Sequence, residues 1–329
     1  MRRSPQLAIA VCLVAALAVA LAAPLIGSTP VTLERAWTGI SPDAEILFHA
    51  RLPRVFLSLL AGAALAATGV LFQALLREPL AEPYTLGISS GASLGAVLAI
   101  CLGWRTFGEY SAVWAAALTG AGVTLLLVLG IGLQGRRLSS FTLLLGGVTI
   151  NSMCLAAILF LHNLATFAQS FAISRWLMGG IDAVDYRTLA TLAVLVGVLC
   201  VAVFLRARDW NLLAVGEEWA ATRGVSTGRL MLAGYVAGSV LTGSITALTG
   251  PIGFVGLIVP HALRLWLGAD HRVLLPCSAL TGAAFLTLCD TLARTVLAPT
   301  EIPVGVMTAM AGGPVFIWLL RSRRRSLWM

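Results

Sequence analysis

The chain has 329 residues, of which 59% are hydrophobic and 11% charged, with a formal net charge of +8 and a mean hydropathy of +0.93. A soluble domain carries about 25% charged residues, so this chain lacks the polar surface to coat a water-facing globule, and a soluble enzyme, a disordered protein and a nucleic-acid binder are excluded. All 22 basic residues are arginine; without lysine there is no G-x-x-x-x-G-K-[ST] phosphate loop, so any nucleotide that drives the chain is held by a partner.

A helix needs about 20 mostly apolar residues to cross the hydrocarbon layer. Ten such runs follow one another, with soft ends, over 6–26, 55–76, 86–102, 110–133, 142–161, 189–205, 230–248, 252–267, 274–297 and 304–320. The first follows Arg2 and Arg3 and resembles a signal peptide, but no convincing small-x-small cleavage site follows it, so it reads as a retained span. With both termini cytoplasmic, fifteen arginines fall inside and seven outside, the latter being Arg35, Arg51, Arg54, Arg105, Arg175, Arg187 and Arg294. That bias predicts an N-in, C-in chain with an even span count. Of the fourteen acids only Asp290 lies within a span, four residues before Arg294 and on the same helix face. An ionisable group there is a functional candidate, set against a local ion pair holding the helix tip.

Helices in lipid associate through small residues. Gly87, Gly91 and Gly95 form a doubled G-x-x-x-G and Gly234 with Gly238 another, so the helices starting near 86 and 230 are expected to be central. Two segments mix apolar residues with breakers, "REPLAEPYTLGISSGA" (77–92) and "TGPIGFVGLIVPHALR" (249–264), each after a small-residue helix. Broken helices at matching places in oppositely directed halves point to an inverted repeat around a pathway. The "GISSG" run at 87–91 fits the G-x-S-x-G elbow, but it opens a membrane helix without the preceding strand or a paired acid and histidine. An intramembrane protease using Ser89 or Ser90 with His162 or His261 is therefore a minor alternative. The six cysteines sit in apolar runs without a C-x-x-C pair, and His49, His162, His261 and His271 show no ligand spacing, so no metal, cofactor or catalytic cluster is expected.

"RLPR" (51–54), "QALLREPLAEPYTLGISSGA" (73–92), "LLLGGV" (143–148), "GFVGLIVPHALR" (253–264), "DHRVLLP" (270–276) and "EIPVGVMTAMAGGPVFIWLL" (301–320) together resemble the FecCD-type permeases. These are membrane subunits of ATP-binding-cassette (ABC) importers for iron–siderophores, haem and cobalamin. The resemblance runs from about residue 45 to 325. It implies an all-α, ten-helix type II importer permease fold in one transmembrane domain spanning the chain. It also implies a dimer, expected to be of identical chains, in the bacterial inner membrane. Two cytoplasmic ABC ATPases and an external, periplasmic binding protein would complete the importer, with membrane lipid around it.

Roles follow motif by motif. Arg51, Arg54 and Arg294 correspond to arginines that meet glutamates of the binding protein, with Asp290 expected to orient Arg294 at a wet rim. The inner loop "AVGEEWAATRGVSTGRL" (214–230), within a cytoplasmic stretch of about 206–229, resembles the ATPase-contacting segment, and Gly216, Glu217, Ala220 and Gly224 match its pattern. Its small residues would let two short helices fold close together. "REPLAEP" and "RLSSF" correspond to the inner closure, which places a constriction near Leu80, Ser140 and Phe141 with Glu78 facing water. Relatives usually carry asparagine in place of Glu78, and Phe141 is bulkier than the small polar residue expected at its position. The alternative is an ion-coupled secondary transporter acting alone, for which Asp290 is the one available intramembrane acid.

Overall fold

The computed structural model describes residues 5–104, 106–107, 110–134 and 137–323; Arg2, Arg3, Arg105, Arg136, Arg324 and Arg325, which enter the arginine count, lie outside the described residues. The described chain is helical almost throughout. Helix α1 (Pro5–Ala22) leads to two short helices, α2 (Leu33–Trp37) and α3 (Asp43–Glu45), and a π-helical turn at Ile46–Arg51 runs directly into α4 (Leu52–Leu76). Then come α5 (Ile88–Cys101), α6 (Ala112–Gly132), α7 (Ser140–Leu164), α8 (Phe167–Leu177), α9 (Tyr186–Leu205), α10 (Ala207–Val215) and α11 (Glu217–Thr222). The last four are α12 (Thr227–Thr249), α13 (Val255–Leu267), α14 (His271–Ala293) and α15 (Val304–Arg323). The extended pairings among the described residues are two antiparallel pairs of two-residue strands, Thr106–Phe107 with Tyr110–Ser111 and Leu133–Gln134 with Arg137–Leu138.

Among the described residues, seven helical segments are long and apolar enough to cross a membrane, and three shorter apolar helices, Ile88–Cys101, Val255–Leu267 and Val304–Trp318, accompany them. Each of the ten apolar runs thus falls on a helix. Polar side chains mark the starts. Ser139 accepts the Thr142 N–H ahead of α7, Thr166 and Gln169 form a capping box on α8, and Asp185 accepts the Thr188 N–H on α9.

Helix α4 is the axis of the bundle and is buried along most of its length. It packs antiparallel against α14 where two glycines face each other: a Cβ at Gly62 would collide with the Gly282 carbonyl, and one at Gly282 with that of Gly62. Further along, a Cβ at Gly69 would strike the Gly256 carbonyl of α13. Gly91 and Gly95 play the same part between α5 and α6, against Gly120 and Ala116. Gly234 and Gly238 seat the rings of Trp210 and Phe72. The small-residue registers therefore do set close packing, and α12 is largely buried as expected. Gly87 adds a second demand: it is the left-handed N-cap of α5, φ 78°, and a Cβ there would also lie 2.9 Å from the Gly147 carbonyl of α7. On the outward faces of α1, α6, α7 and α9, side chains such as Val14, Leu126, Phe160 and Val194 stay exposed, as a bundle bathed in hydrocarbon requires.

The two breaker segments meet. Arg77, in the left-handed region at φ 53°, ends α4, and turns at 78–87 reverse the chain into α5. Gly250 and the left-handed Phe254, φ 69°, separate α12 from α13. The backbone N–H of Phe254 faces the Glu82 carboxyl of the first segment, and a Cβ at Gly256 would lie 2.9 Å from the Pro83 ring. Burial pushes the Glu82 carboxyl above its usual range, partly opposed by that N–H.

Candidate functional site

The predicted site residues gather at opposite ends of the bundle, because α4 begins beside Arg51 and Arg54 and ends at Arg77. At the first end Asp290, on the last turns of α14, is fully buried. Arg54 of α4 grips it with a fork: Nη2 donates at 2.9 Å and Nε at 3.1 Å to Oδ1, with a further Nε contact of 3.2 Å to Oδ2. Arg54 Nη1 reaches outward to Glu301 at 2.8 Å. Arg294 lies 3.9 Å from Asp290, an ion pair too long for a hydrogen bond. Instead Arg294 Nη2 donates to the Ala23 carbonyl at 2.6 Å. Arg51 donates to the Pro24 carbonyl at 3.1 Å and, through Nη2, to that of Thr29.

This arrangement corrects the expected rim. Arg51 and Arg294 are each only 5% exposed. Their guanidiniums are occupied by carbonyls of the connection after α1, those of Ala23 and Pro24 in the 3-10 turn Ala23–Leu25 and that of Thr29 beyond it. Asp290 does not chiefly orient Arg294 from one turn below; the close α4–α14 packing delivers Arg54 to it first. Of the three arginines, Arg54 alone reaches the surface, with its side chain 15% exposed. Beside it opens a cavity of about 840 Å³ whose lining includes Arg54, Arg175, Trp176, Asp182, Glu301 and Pro303. Sequence reasoning gave no role to Arg175, Asp182 or Glu301. The available signal was that Glu301 opens the "EIPVGVM" motif and that all three are charges outside the apolar runs.

At the second end, the stretch of about 206–229 folds as the two short helices α10 and α11. Trp210 is buried against α12 and donates its indole N–H to the Val203 carbonyl at 2.9 Å. Asn211 bonds the start of α14: its Nδ2 donates to Asp270 at 2.9 Å, and its Oδ1 accepts from the His271 backbone N–H at 2.8 Å and from His271 Nδ1 at 2.6 Å. The Arg272 guanidinium, and then Asn211, hold the Asp270 carboxyl well below the usual range against the opposing effect of burial.

Glu217 opens α11 and turns toward the bundle. Its Oε1 accepts from Arg77 Nη2 at 2.9 Å and lies 3.2 Å from the Ser140 hydroxyl, which also lies 3.0 Å from the Leu75 carbonyl. Gly216 precedes it as N-cap, Ala220 is fully buried, and Gly224 sits exposed in the left-handed region at φ 82° with open space around it. Leu80 is 48% and Phe141 74% exposed, whereas Glu78 is half-buried and accepts the Leu80 N–H at 3.3 Å. Ser140 is buried, so it backs the expected constriction instead of lining it. His162 contacts Ser174 at 3.4 Å and His261 packs edge-on against Phe316. Among the described residues no group of three or more metal-ligating side chains occurs.

Residues 9–322 match the FecCD transport family. The chain belongs to that family. Over 98% of both chains it is 37% identical to the hemin transport system permease protein of Yersinia pestis. It is 40% identical to the vitamin B12 import system permease protein of Escherichia coli O9:H4 (strain HS), covering 87% of this chain and 86% of that one. A solved structure of a proposed metal-chelate type ABC transporter in an inward-facing conformation superposes with a TM-score of 0.85 at 29% identity, covering 97% of this chain and 99% of the other. This FecCD protein is thus an ABC-transporter permease and a multi-pass membrane protein, and both ends just described belong to a transport subunit.

Proposed function

We propose that the chain is the membrane-spanning subunit of an ABC importer that moves an iron–siderophore, haem or cobalamin delivered by an external binding protein. All ten apolar helices cross the bacterial inner membrane with both termini inside. Two copies line one pathway, since a cargo of this size needs a cavity between subunits, and two partner ATPases dock at α10–α11. The identity with the hemin permease over nearly the full length of both chains carries this reading. The geometry supports it: one end presents Arg54 and Glu301 beside an open cavity, while the other joins a short-helix loop to the residues of the expected inner mouth.

In this reading Arg54 meets a binding-protein carboxylate directly. Arg51 and Arg294 hold the platform from below through carbonyls after α1, with Asp290 as the counter-charge of Arg54 and Arg294. Leu80 and Phe141 form the inner constriction, and Glu78 stands at its margin. The ion-coupled alternative loses ground because Asp290, the acid it needs, is engaged by Arg54.

The test is reconstitution with the partner ATPase and binding protein in liposomes, supplying ferric siderophore, haem or cobalamin in turn. ATP-dependent uptake of one of them is expected. Uptake by the chain alone under a proton gradient would overturn the importer reading.

A further inference from the structure

We infer that Glu217 is the positioning residue through which movement of α10–α11 reaches the inner mouth. This rests on the importer reading above. Glu217 is the first residue of α11 and moves with it. Its Oε1 lies within hydrogen-bond reach of two other helices at once, Arg77 at the end of α4 and Ser140 at the start of α7. Those two anchors adjoin the exposed apolar side chains of the mouth: Phe141 directly follows Ser140, and Leu80 lies three residues beyond Arg77. A displacement of α11 therefore pulls on both segments that carry the constriction.

Ser140 makes the link two-state. A hydroxyl has one proton to donate, and two acceptors lie in reach, the Leu75 carbonyl at 3.0 Å and Glu217 at 3.2 Å. If α11 withdraws, Ser140 keeps its bond to α4 and remains satisfied although buried. If α7 parts from α4, it keeps Glu217. In either position the buried Ser140 hydroxyl keeps an acceptor, so the junction can change partners during a transport cycle. The Arg77–Glu217 pair is half-exposed, with side chains 40% and 33% accessible, and such pairs are weak enough to break and re-form. Glu218, the exposed neighbour, is left to face the ATPase, while Glu217 serves the permease itself.

The experiment uses the complete complex of permease, ATPase and binding protein, and reads three quantities. These are the ATPase retained on purification, uptake per ATP hydrolysed, and labelling of a Phe141→Cys variant by a polar thiol reagent from the cytoplasmic side in each nucleotide state. Glu217→Ala is expected to retain the ATPase but to lower uptake per ATP several-fold. It should also abolish the nucleotide-dependent change in labelling. Glu217→Gln, which still offers Ser140 an acceptor, should fall between Ala and wild type, and the exchange Arg77→Glu with Glu217→Arg should recover part of the coupling. If Glu217→Ala is lost from the membrane, Ser140→Ala, which removes both hydroxyl contacts, and Glu217→Gln, which removes the charge facing Arg77, carry the same comparison. Wild-type uptake per ATP together with a wild-type labelling change in these variants would overturn the link. An unmutated chain that retains no ATPase would instead overturn the importer reading, and the link with it.

Discussion

Asp290 shows how much one buried carboxylate can hold. It neutralises Arg54 and faces Arg294, whose buried guanidinium has no bulk water to fall back on. Removing one partner of a buried pair strands the other charge and costs about 3–5 kcal/mol. Asp290→Ala should therefore sharply lower thermal stability in detergent. Glu301→Ala, at the half-exposed outer end of the same cluster, should change stability by less than about 1 kcal/mol. Equal effects of the two changes would refute this ranking. Asp270 gives a pH-dependent counterpart. Its folded pKa is depressed by Arg272 and Asn211, so its contribution is present above the ordinary aspartate value of about 3.9 and is lost as pH falls through the lower folded value. The gap in melting temperature between wild type and Asp270→Asn should thus be widest near neutrality and should narrow on acidification. A gap that grows in acid would contradict this. From the sequence, Asp290 and the three arginines were legible as one group, but their pairing was not. The i,i+4 spacing favours Arg294, and nothing local reveals that Arg54, 236 positions away, arrives first with a better-shaped contact.

At the scale of elements, the helices are held by absences of side chain. Gly69 is the sharpest case, because its neighbour is the backbone of Gly256 and not a movable side chain. Gly69→Ala should cost about 1–3 kcal/mol or more through overpacking. Gly122→Ala, in α6 with nothing within 4 Å, should be neutral or stabilise by about 0.5–1 kcal/mol through helix propensity. Comparable thermal shifts in the two variants would sink the packing argument. Gly91 and Gly95 could be read from the chain because both lie in one helix at a fixed spacing. Gly62 with Gly282, and Gly69 with Gly256, could not, since each pair joins two helices far apart in sequence. The breaker segments were legible from their prolines and glycines, but the meeting of Glu82 with Phe254 depends on tertiary placement that periodicity does not encode.

At the scale of the molecule, the 214–230 loop separates two kinds of small residue that look alike in sequence. Ala220 is fully enclosed, whereas Gly224 is exposed with open space around it. Ala220→Trp should therefore disrupt the loop and reduce the amount of folded protein. Gly224→Trp has room for its ring, although its left-handed backbone adds strain on the order of 1 kcal/mol or more. Gly224→Trp should leave the chain in the membrane while impairing ATP-driven uptake. Membrane abundance and uptake per ATP, measured side by side, check both statements; wild-type coupling in Gly224→Trp would remove Gly224 from the docking surface.

Helix α4 carries the Arg54 cluster at one end and Arg77 at the other, over 25 continuous residues. At 1.5 Å and 100° per residue, it is a rod about 37 Å long with a fixed phase between its ends. Adding or deleting a single residue inside it would rotate one terminus by about 100° relative to the other. Arg54 could then still face Asp290, or Arg77 still face Glu217, but not both. The length of this segment should therefore be invariant to the residue, with insertions and deletions confined to the connections on either side, and substitutions within it judged by size and not by count.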